Sequence, residues 1–162
     1  MFHSKMKMDD MMKTVIIDDD LEFARYLKDE INQCDMISMD IEINSYDDDF
    51  DLYFLDIDMP DTDGIAYARK IKNKAPHARI IFVSYRNDLV FDALHIFPFS
   101  FIRKEFLHEE LMMVLKRIYE LDIEEKKMLF IHEHLSLPLG HICYIEKKGS
   151  YSHVHTQNHV YK

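Results

Sequence analysis

The chain has 162 residues, of which 48% are hydrophobic and 31% charged, and its formal net charge is −10. This composition is ordinary for a soluble globular protein, and no apolar run approaches the roughly 18 residues that a membrane span needs, which excludes a membrane-inserted protein. The acidic balance argues against a chain that wraps nucleic acid along its whole length. Cys34 and Cys143 lack the spacing of a disulfide framework or a thiolate zinc site, which favours a cytoplasmic location.

The charge is unevenly distributed along the chain. From Glu125 onward five lysines stand against three glutamates, and six of the ten histidines lie there. Residues 1–12 lack the apolar core of a signal peptide. These shifts predict a disordered leader over 1–12, a full domain over 13–123 and a short further segment over 124–162.

Two of the first three predicted strands end at acidic residues. Residues 14–18 form a β-branched run, which predicts a buried strand, and a helix capped by Asp20 is expected to follow it. Alternation over 39–43 predicts a second strand. The apolar run 52–55 predicts a third strand, which leads directly to Asp56.

The second half of the domain continues this alternation. After a turn marked by Pro60 and Gly64, helical periodicity continues to about Pro76. The elements predicted next are a strand at 80–84, a helix at 88–96, a strand at 99–102 and a helix at 106–123. Five strands alternating with helices indicate an α/β fold, with a doubly wound parallel sheet covered on both faces.

One connection departs from this scheme. Only the eight residues 44–51 separate the second and third strands, whereas a parallel crossover normally needs at least 10–12. The second helix is therefore predicted to be shortened or missing.

Polar side chains gather at the predicted carboxyl ends of the strands, where folds of this type bind ligands. Asp18, Asp19 and Asp56 would repel one another unless a cation lay between them, which predicts a Mg²⁺ site. A carboxylate can also accept a phosphoryl group, and Ser84 and Lys104 could bind its oxygens. Singly, these residues are ordinary caps, turn formers and surface groups. Their order at successive strand ends favours a common site.

The same stretches carry a family resemblance over residues 13–123. They are Val15-Ile-Ile-Asp-Asp-Asp20, Leu55-Asp-Ile-Asp-Met-Pro-Asp-Thr-Asp-Gly64, Ile80-Ile-Phe-Val-Ser84 and Phe101-Ile-Arg-Lys104. The sequence resembles the receiver (CheY-like) domains of two-component response regulators. This resemblance implies a flavodoxin-like fold and a phosphorelay in which a sensor histidine kinase is the partner.

The resemblance also implies roles for individual residues. Asp56 would be the phosphoacceptor, Lys104 would contact the phosphate, and Asp18 and Asp19 would bind Mg²⁺ together with Asp56 and the backbone carbonyl of Asp58. A switch would move Ser84 toward the phosphate and rotate Phe101 inward. This motion would reshape the face of the fourth helix, fifth strand and fifth helix, through which a homodimer would form.

Two residues depart from the family pattern. Glu105 follows Lys104 where proline is usual, so a trans or strained peptide and a displaced lysine are expected. Tyr85 follows Ser84 where a small residue is common. Its ring is predicted to cover part of the pocket and to slow small phosphodonors.

The tail changes to antiparallel β character. Short strands are predicted at 129–131, 142–146 and 152–156. Residues 127–162 resemble the beginning of a LytTR-type DNA-binding domain and cover less than half of that domain. The tail is therefore predicted to be an incomplete all-β segment. Lys147, Lys148, Ser150 and Tyr151 are candidate DNA contacts or, equally, a solvated hairpin turn.

Three functions are open at this point. The first is a response regulator, not an enzyme, that receives a phosphoryl group on Asp56 and controls transcription through a LytTR-type domain. The second is a truncated stand-alone receiver that acts by protein binding or as a phosphate sink without DNA binding. The third is a magnesium-dependent hydrolase of the phosphatase type, in which Asp58 would be the second acid.

Overall fold

The computed structural model describes residues 11–47, 49–60, 62–125, 127–132 and 135–161. The chain divides into two compact units between Leu115 and Lys116. Of the predicted disordered leader, 1–12, residues 1–10 lie outside the described residues. Met12 belongs to the first strand, so the prediction is wrong for this residue. No helix in the described ranges combines the length and the apolar character needed to cross a bilayer.

The first unit is built on a five-stranded parallel sheet. Its elements are β1 (Met12–Ile17), α1 (Leu21–Asn32), β2 (Met39–Ile43), β3 (Leu52–Leu55), β4 (Asp58–Met59), β5 (Thr62–Asp63), α2 (Gly64–Lys74), β6 (Arg79–Ser84), α3 (Val90–Leu94), β7 (Ser100–Arg103) and α4 (Leu107–Glu125), the last of which continues past the division between the units. The strand order is β2-β1-β3-β6-β7 with every neighbouring pair parallel. This is the predicted doubly wound, flavodoxin-like topology.

The central strands are apolar because both of their faces are covered. Every side chain of β3 is buried, and so are five of the six in β6. A strand with only one covered face would alternate with polar residues instead. The continuous apolar runs of the sequence therefore place β3 and β6 in the middle of the sheet, where they position the polar residues that follow them.

The helices begin where the sequence provides caps. The carboxylate of Asp20 accepts hydrogen bonds from the backbone N–H groups of Glu22 and Phe23, which confirms the predicted cap of α1. The predicted helix 88–96 is shorter in the structure: a 3-10 turn over Asn87–Leu89 leads into α3, which ends at Leu94. Phe97, with φ 54°, precedes Pro98, and a residue before proline avoids the helical region.

The short crossover between β2 and β3 contains no helix among its described residues, as predicted. The composition of β2 explains why no helix is needed to cover this edge of the sheet. Its side chains alternate, with Met39 and Ile41 buried and Asp40 and Glu42 exposed, so one face of this edge strand is polar and solvated. The neighbouring apolar residues of the sheet are covered partly by Phe50 of the connection, which is buried in the core.

The connection is also fixed by hydrogen bonds to β1. At its far end, the backbone N–H of Asp51 donates to the Lys13 carbonyl at 2.8 Å, and the Lys13 N–H donates to the Asp51 carboxylate at 3.0 Å. Tyr46 packs edge-on against Tyr67 of α2, with ring centroids 5.7 Å apart. The segment thus has a defined path despite its length.

The second unit is all-β after the end of α4. β8 (Met128–His132) and β9 (Leu135–Pro138) pair antiparallel, and β10 (Ile142–Lys148), β11 (Tyr151–Thr156) and β12 (Val160–Tyr161) form an antiparallel sheet. The three strands predicted for the tail correspond to β8, β10 and β11, whereas β9 and β12 were not predicted. Gly149, with φ 64°, holds the first position of the two-residue turn between β10 and β11.

Candidate functional site

Four buried polar residues meet at the carboxyl edge of the parallel sheet. Asp18 directly follows β1, Asp56 follows β3, Ser84 ends β6, and Lys104 follows β7. Their exposed fractions are only 2%, 6%, 1% and 8%. Because parallel strands deliver their carboxyl ends to one edge, residues far apart in sequence converge there, as the sequence predicts.

The Lys104 ammonium joins two of the carboxylates. Its Nζ lies 2.7 Å from Oδ2 of Asp18 and 2.7 Å from Oδ2 of Asp56. The peptide bonds of the described residues, including the one before Glu105, are trans. Glu105 in place of proline therefore does not withdraw Lys104 from the carboxylates, contrary to the displacement expected from the sequence.

Burial and charge pairing oppose each other in this contact. Burial lowers the pKa of Lys104, but its hydrogen bonds to Asp18 and Asp56 and their negative charges outweigh burial and raise that pKa above its usual value. Burial raises the pKa of the Asp18 carboxyl, although the Lys104 contact opposes the shift. The lysine therefore stays charged and holds the carboxylates together.

The carboxylates also fit a divalent cation. Asp18, Asp19 and Asp56 each offer an oxygen, and the three atoms lie within 4.8 Å of one another. Oxygen ligands from carboxylates are those preferred by Mg²⁺. With all three ionised, one ammonium leaves an excess of two negative charges, which a divalent ion would balance. Asp19 is exposed and so leaves one side of the cluster open to solvent.

Asp56 is held in a fixed orientation. Its Oδ1 accepts hydrogen bonds from the backbone N–H of Ile57 at 2.6 Å and of Asp58 at 3.2 Å, while Oδ2 contacts Lys104. Its own N–H donates to the Ile17 carbonyl at 2.9 Å. One carboxylate oxygen is thus bound by backbone and the other faces the cationic side of the site.

The loop after Asp56 depends on Gly64, which the sequence marks only as a turn residue. A Cβ on Gly64 would lie 2.0 Å from the Asp56 carbonyl oxygen and 2.7 Å from Cα of Ile57. The Gly64 N–H donates to the Ile57 carbonyl at 3.1 Å. The start of α2 therefore lies directly against the Asp56 backbone, and only glycine permits this approach.

Asn44 is a second residue that sequence reasoning missed. Its side-chain Oδ1 accepts from the Asp18 N–H at 3.0 Å, and its Nδ2 donates to the Asp18 carbonyl at 2.9 Å. A single asparagine after a strand carries no recognisable pattern. The only available signal was its place at the start of an unusually short crossover.

Three further residues predicted for the site are Ser84, Tyr85 and Phe101. Ser84 is buried at the same edge, and its Oγ accepts from the Arg86 N–H at 3.3 Å. The Tyr85 ring centroid is 5.5 Å from Lys104 Nζ, although the residue is 61% exposed. Phe101 is half-buried against the core, with its ring centroid 6.5 Å from that of Phe82.

Other predicted residues lie outside this contact network. The Asp58 carboxylate is 3.5 Å from the Arg86 guanidinium, so its side chain is paired elsewhere, and the role of its carbonyl stays a prediction. Lys147, Lys148, Ser150 and Tyr151 form the tip of the β10–β11 hairpin in the second unit. The Lys148 ammonium lies 2.7 Å from Glu146, which partly neutralises it. DNA contact by this hairpin also stays a prediction.

A sequence model of the response regulator receiver domain matches residues 14–116, which include the whole cluster. The chain belongs to this family. The match covers all five strands of the sheet except the start of β1. The chain therefore contains a receiver domain of the two-component type.

Two curated proteins are similar to this receiver. The transcriptional regulatory protein CssR of Bacillus subtilis is 36% identical over 77 residues, which cover 46% of this chain and 34% of CssR. The sensory transduction protein LytR of Staphylococcus saprophyticus is 28% identical over 117 residues, which cover 66% of this chain and 45% of LytR. The chain thus spans less than half the length of the curated relatives it matches.

Solved structures show the same fold. The response regulator protein TrrA from Thermotoga maritima, in complex with Mg²⁺ and BeF, aligns with a TM-score of 0.57 and 23% identity. The alignment covers 67% of this chain and 99% of TrrA. At this identity the likeness establishes the receiver fold and nothing about ligands of this chain.

Proposed function

We propose that this receiver accepts a phosphoryl group on Asp56 from a sensor histidine kinase and binds Mg²⁺ beside it. The observation that carries the proposal is the arrangement around Asp56. Two backbone amides hold Oδ1, Lys104 contacts Oδ2 at 2.7 Å, and oxygens of Asp18 and Asp19 lie within 4.8 Å. A buried, oriented carboxylate beside positive charge is the group such a transfer requires.

The chemistry is an attack by a carboxylate on phosphorus. An oxygen of Asp56 forms the new bond to phosphorus, the bond between phosphorus and the kinase imidazole nitrogen breaks, and that nitrogen keeps the electron pair. Lys104 can pair with a phosphoryl oxygen, and the Ser84 hydroxyl can donate to another. Asp18, Asp19, Asp56 and the Asp58 carbonyl would hold Mg²⁺, which would supply positive charge beside the transferred group.

The output would follow from a change in packing. Ser84 would turn toward the phosphoryl group, and Phe101 would move further into the core beside Phe82. The surface affected consists of α3, β7 and α4, which are the fourth helix, fifth strand and fifth helix of the receiver pattern. It exposes large apolar groups, including Phe91 at 79% and Leu94 at 51%, which suits a homodimer contact.

We also propose that the output is transcriptional control through a LytTR-type domain. The support is the resemblance of the β segment from residue 127 onward, together with relatives named as a transcriptional regulatory protein and a sensory transduction protein. A stand-alone receiver that binds proteins or stores phosphate is the alternative. No observation at the site favours a hydrolase of external phosphate esters over these two functions, since the Asp58 carboxylate is 65% exposed and lies 3.5 Å from the Arg86 guanidinium.

Phosphorylation by a small donor tests this proposal. The wild-type chain, incubated with Mg²⁺ and acetyl phosphate, should gain one phosphoryl adduct in intact-mass spectrometry, and Asp56→Asn should gain none. Asp40→Asn, which changes an exposed carboxylate of β2, is the matched control and should react like the wild type. No adduct on the wild type would contradict the assignment. A gel shift with the phosphorylated chain then separates the DNA-binding output from the stand-alone one.

A further inference from the structure

Asn44 forms a two-point contact with the backbone of Asp18. The hydrogen-bond ladder between β1 and β2 ends at the pair Ile16 and Ile43, and the Asn44 N–H still donates to the Ile16 carbonyl at 2.8 Å. Beyond that point the side-chain amide continues the ladder. Its Oδ1 and Nδ2 bond both the N–H and the carbonyl of Asp18, at 3.0 and 2.9 Å.

The residue type at this position follows from two requirements. Asn44 has φ 51°, in the left-handed region that asparagine adopts more readily than most non-glycine residues. The turn is needed at once, because only eight residues lead from here to β3. A side-chain amide also presents a donor and an acceptor side by side, which matches the N–H and carbonyl of one residue. Asparagine meets both requirements, whereas glycine meets only the first.

The contact fixes a residue whose side chain belongs to the acidic cluster. Asp18 is 2% exposed, its Oδ1 accepts from the Asp20 N–H at 2.9 Å, and its Oδ2 contacts Lys104. Without the Asn44 amide, the N–H and carbonyl of Asp18 would each lose a partner in a place that solvent barely reaches. The Asp18 carboxylate would then lose the backbone anchor that orients it.

We infer that Asn44, the first residue of the shortened crossover, is a positioning residue for divalent-cation binding. It fixes the backbone of Asp18, which is a ligand of the cation in the proposed function. This inference rests on the proposed function, in which Asp18 holds Mg²⁺. Partners that orient a metal ligand typically change metal affinity by 10–100-fold when they are removed. Asn44 acts on the backbone of the ligand and not on its carboxylate, so the lower end of that range, about tenfold, is expected.

The decisive comparison is between Asn44→Gly and Lys13→Met. Asn44→Gly keeps the positive φ without strain and removes both side-chain bonds. Lys13→Met breaks the ion pair of Lys13 with Asp49, 2.6 Å long, at the far end of the same connection, and serves as the matched control. Mg²⁺ dissociation constants are measured by titration calorimetry, and unfolding free energies are measured by urea in EDTA. Asn44→Gly should bind Mg²⁺ about tenfold more weakly than the wild type, and Lys13→Met should bind it equally well.

A purely structural role predicts a different pattern. Asn44→Gly would then lose stability in EDTA but keep a dissociation constant within about twofold of the wild type, and that result would overturn the inference. Failure of the wild type itself to bind Mg²⁺ would instead remove the magnesium part of the proposed function, and this inference with it.

A measurement on the wild type makes the test independent of how well the variant folds. In a Mg²⁺ titration of ¹⁵N-labelled protein followed by NMR, the side-chain NH₂ signals of Asn44 should shift together with the Asp18 amide. The NH₂ signals of Asn73, at the far end of α2, are the internal control and should stay in place. Unmoved Asn44 signals during saturation of the site would contradict the inference.

Discussion

Substitution of Gly64 by alanine should distort the loop that carries Asp56. The added Cβ would lie 2.0 Å from the Asp56 carbonyl oxygen, 2.7 Å from Cα of Ile57 and 2.9 Å from the Asp56 carbonyl carbon. All three atoms belong to the backbone, so no side-chain rotation can relieve the overlap. Ordinary contact begins at 3.4 Å, and the loop or the start of α2 must therefore move by about 1.4 Å.

The magnitude follows from overpacking against a rigid neighbour. Inserting a methyl group into a well-packed region costs about 1–3 kcal/mol, and a clash with backbone places this case at the upper end. Because Gly64 is the first residue of α2, the helix-interior preference for alanine offsets little of this cost. A net loss of about 3 kcal/mol in the free energy of unfolding is expected. Phosphorylation should also slow, because the amides of Ile57 and Asp58 that orient Oδ1 lie in the displaced loop.

Two measurements on the same samples test this reasoning. Urea unfolding followed by circular dichroism gives the stability change, and intact-mass spectrometry gives the rate of phosphorylation by acetyl phosphate at a temperature where all variants are folded. Leu111→Ala is the matched control, since it removes a buried side chain of α4 at a similar or larger cost, about 2–5 kcal/mol. It should slow phosphorylation far less. The reasoning is refuted if Gly64→Ala matches the wild type in both measurements, or if the two variants slow phosphorylation equally.

Two further predictions concern the departures from the family pattern. Phe50→Ala should lower the unfolding free energy by about 3–5 kcal/mol. Phe50 is buried and packs edge-on against Tyr53, with ring centroids 5.8 Å apart. Tyr46→Ala, which removes an exposed ring, is the control and should cost far less. Equal urea midpoints would show that the connection contributes nothing to the core. Tyr85→Ala should raise the rate of Asp56 phosphorylation or dephosphorylation about 2–5-fold, because the ring, 5.5 Å from Lys104 Nζ, restricts access to the site. This factor corresponds to an access barrier of about 0.5–1 kcal/mol. Tyr85→Phe keeps the ring and should behave like the wild type, and unchanged rates in both variants would remove the proposed role of the ring.

The sheet and the residues at its edge were predictable because they follow from simple periodicity. β3 and residues 80–83 of β6 are uninterrupted apolar runs, and such runs form central parallel strands. Once the strands are parallel, their carboxyl ends share one edge, and the residue after each strand is brought to the same place. Asp56 and Lys104 could therefore be placed together although 48 residues separate them.

The remaining features depend on short-range geometry that a sequence pattern does not encode. Gly64 was predicted as a turn residue, but its requirement arises from the approach of α2 to the Asp56 backbone. Asn44 bonds the Asp18 backbone through both the oxygen and the nitrogen of its side-chain amide. The neighbouring residues in the sequence form no pattern that predicts this contact. β9 and β12 are short strands whose pairing depends on partners and not on their own composition. Each of these depends on a tertiary contact.

The shortened crossover links these points. A helix between β2 and β3 would normally cover the adjacent face of the sheet, but Asp40 and Glu42 make that face of β2 polar, so its exposure costs little. The chain can then turn directly at Asn44 and return to β1 through Asp51, with Phe50 buried on the way. The same turn places the Asn44 amide against Asp18. The short crossover thus connects the edge strand directly to the acidic cluster, through the two hydrogen bonds between the Asn44 side chain and the Asp18 backbone.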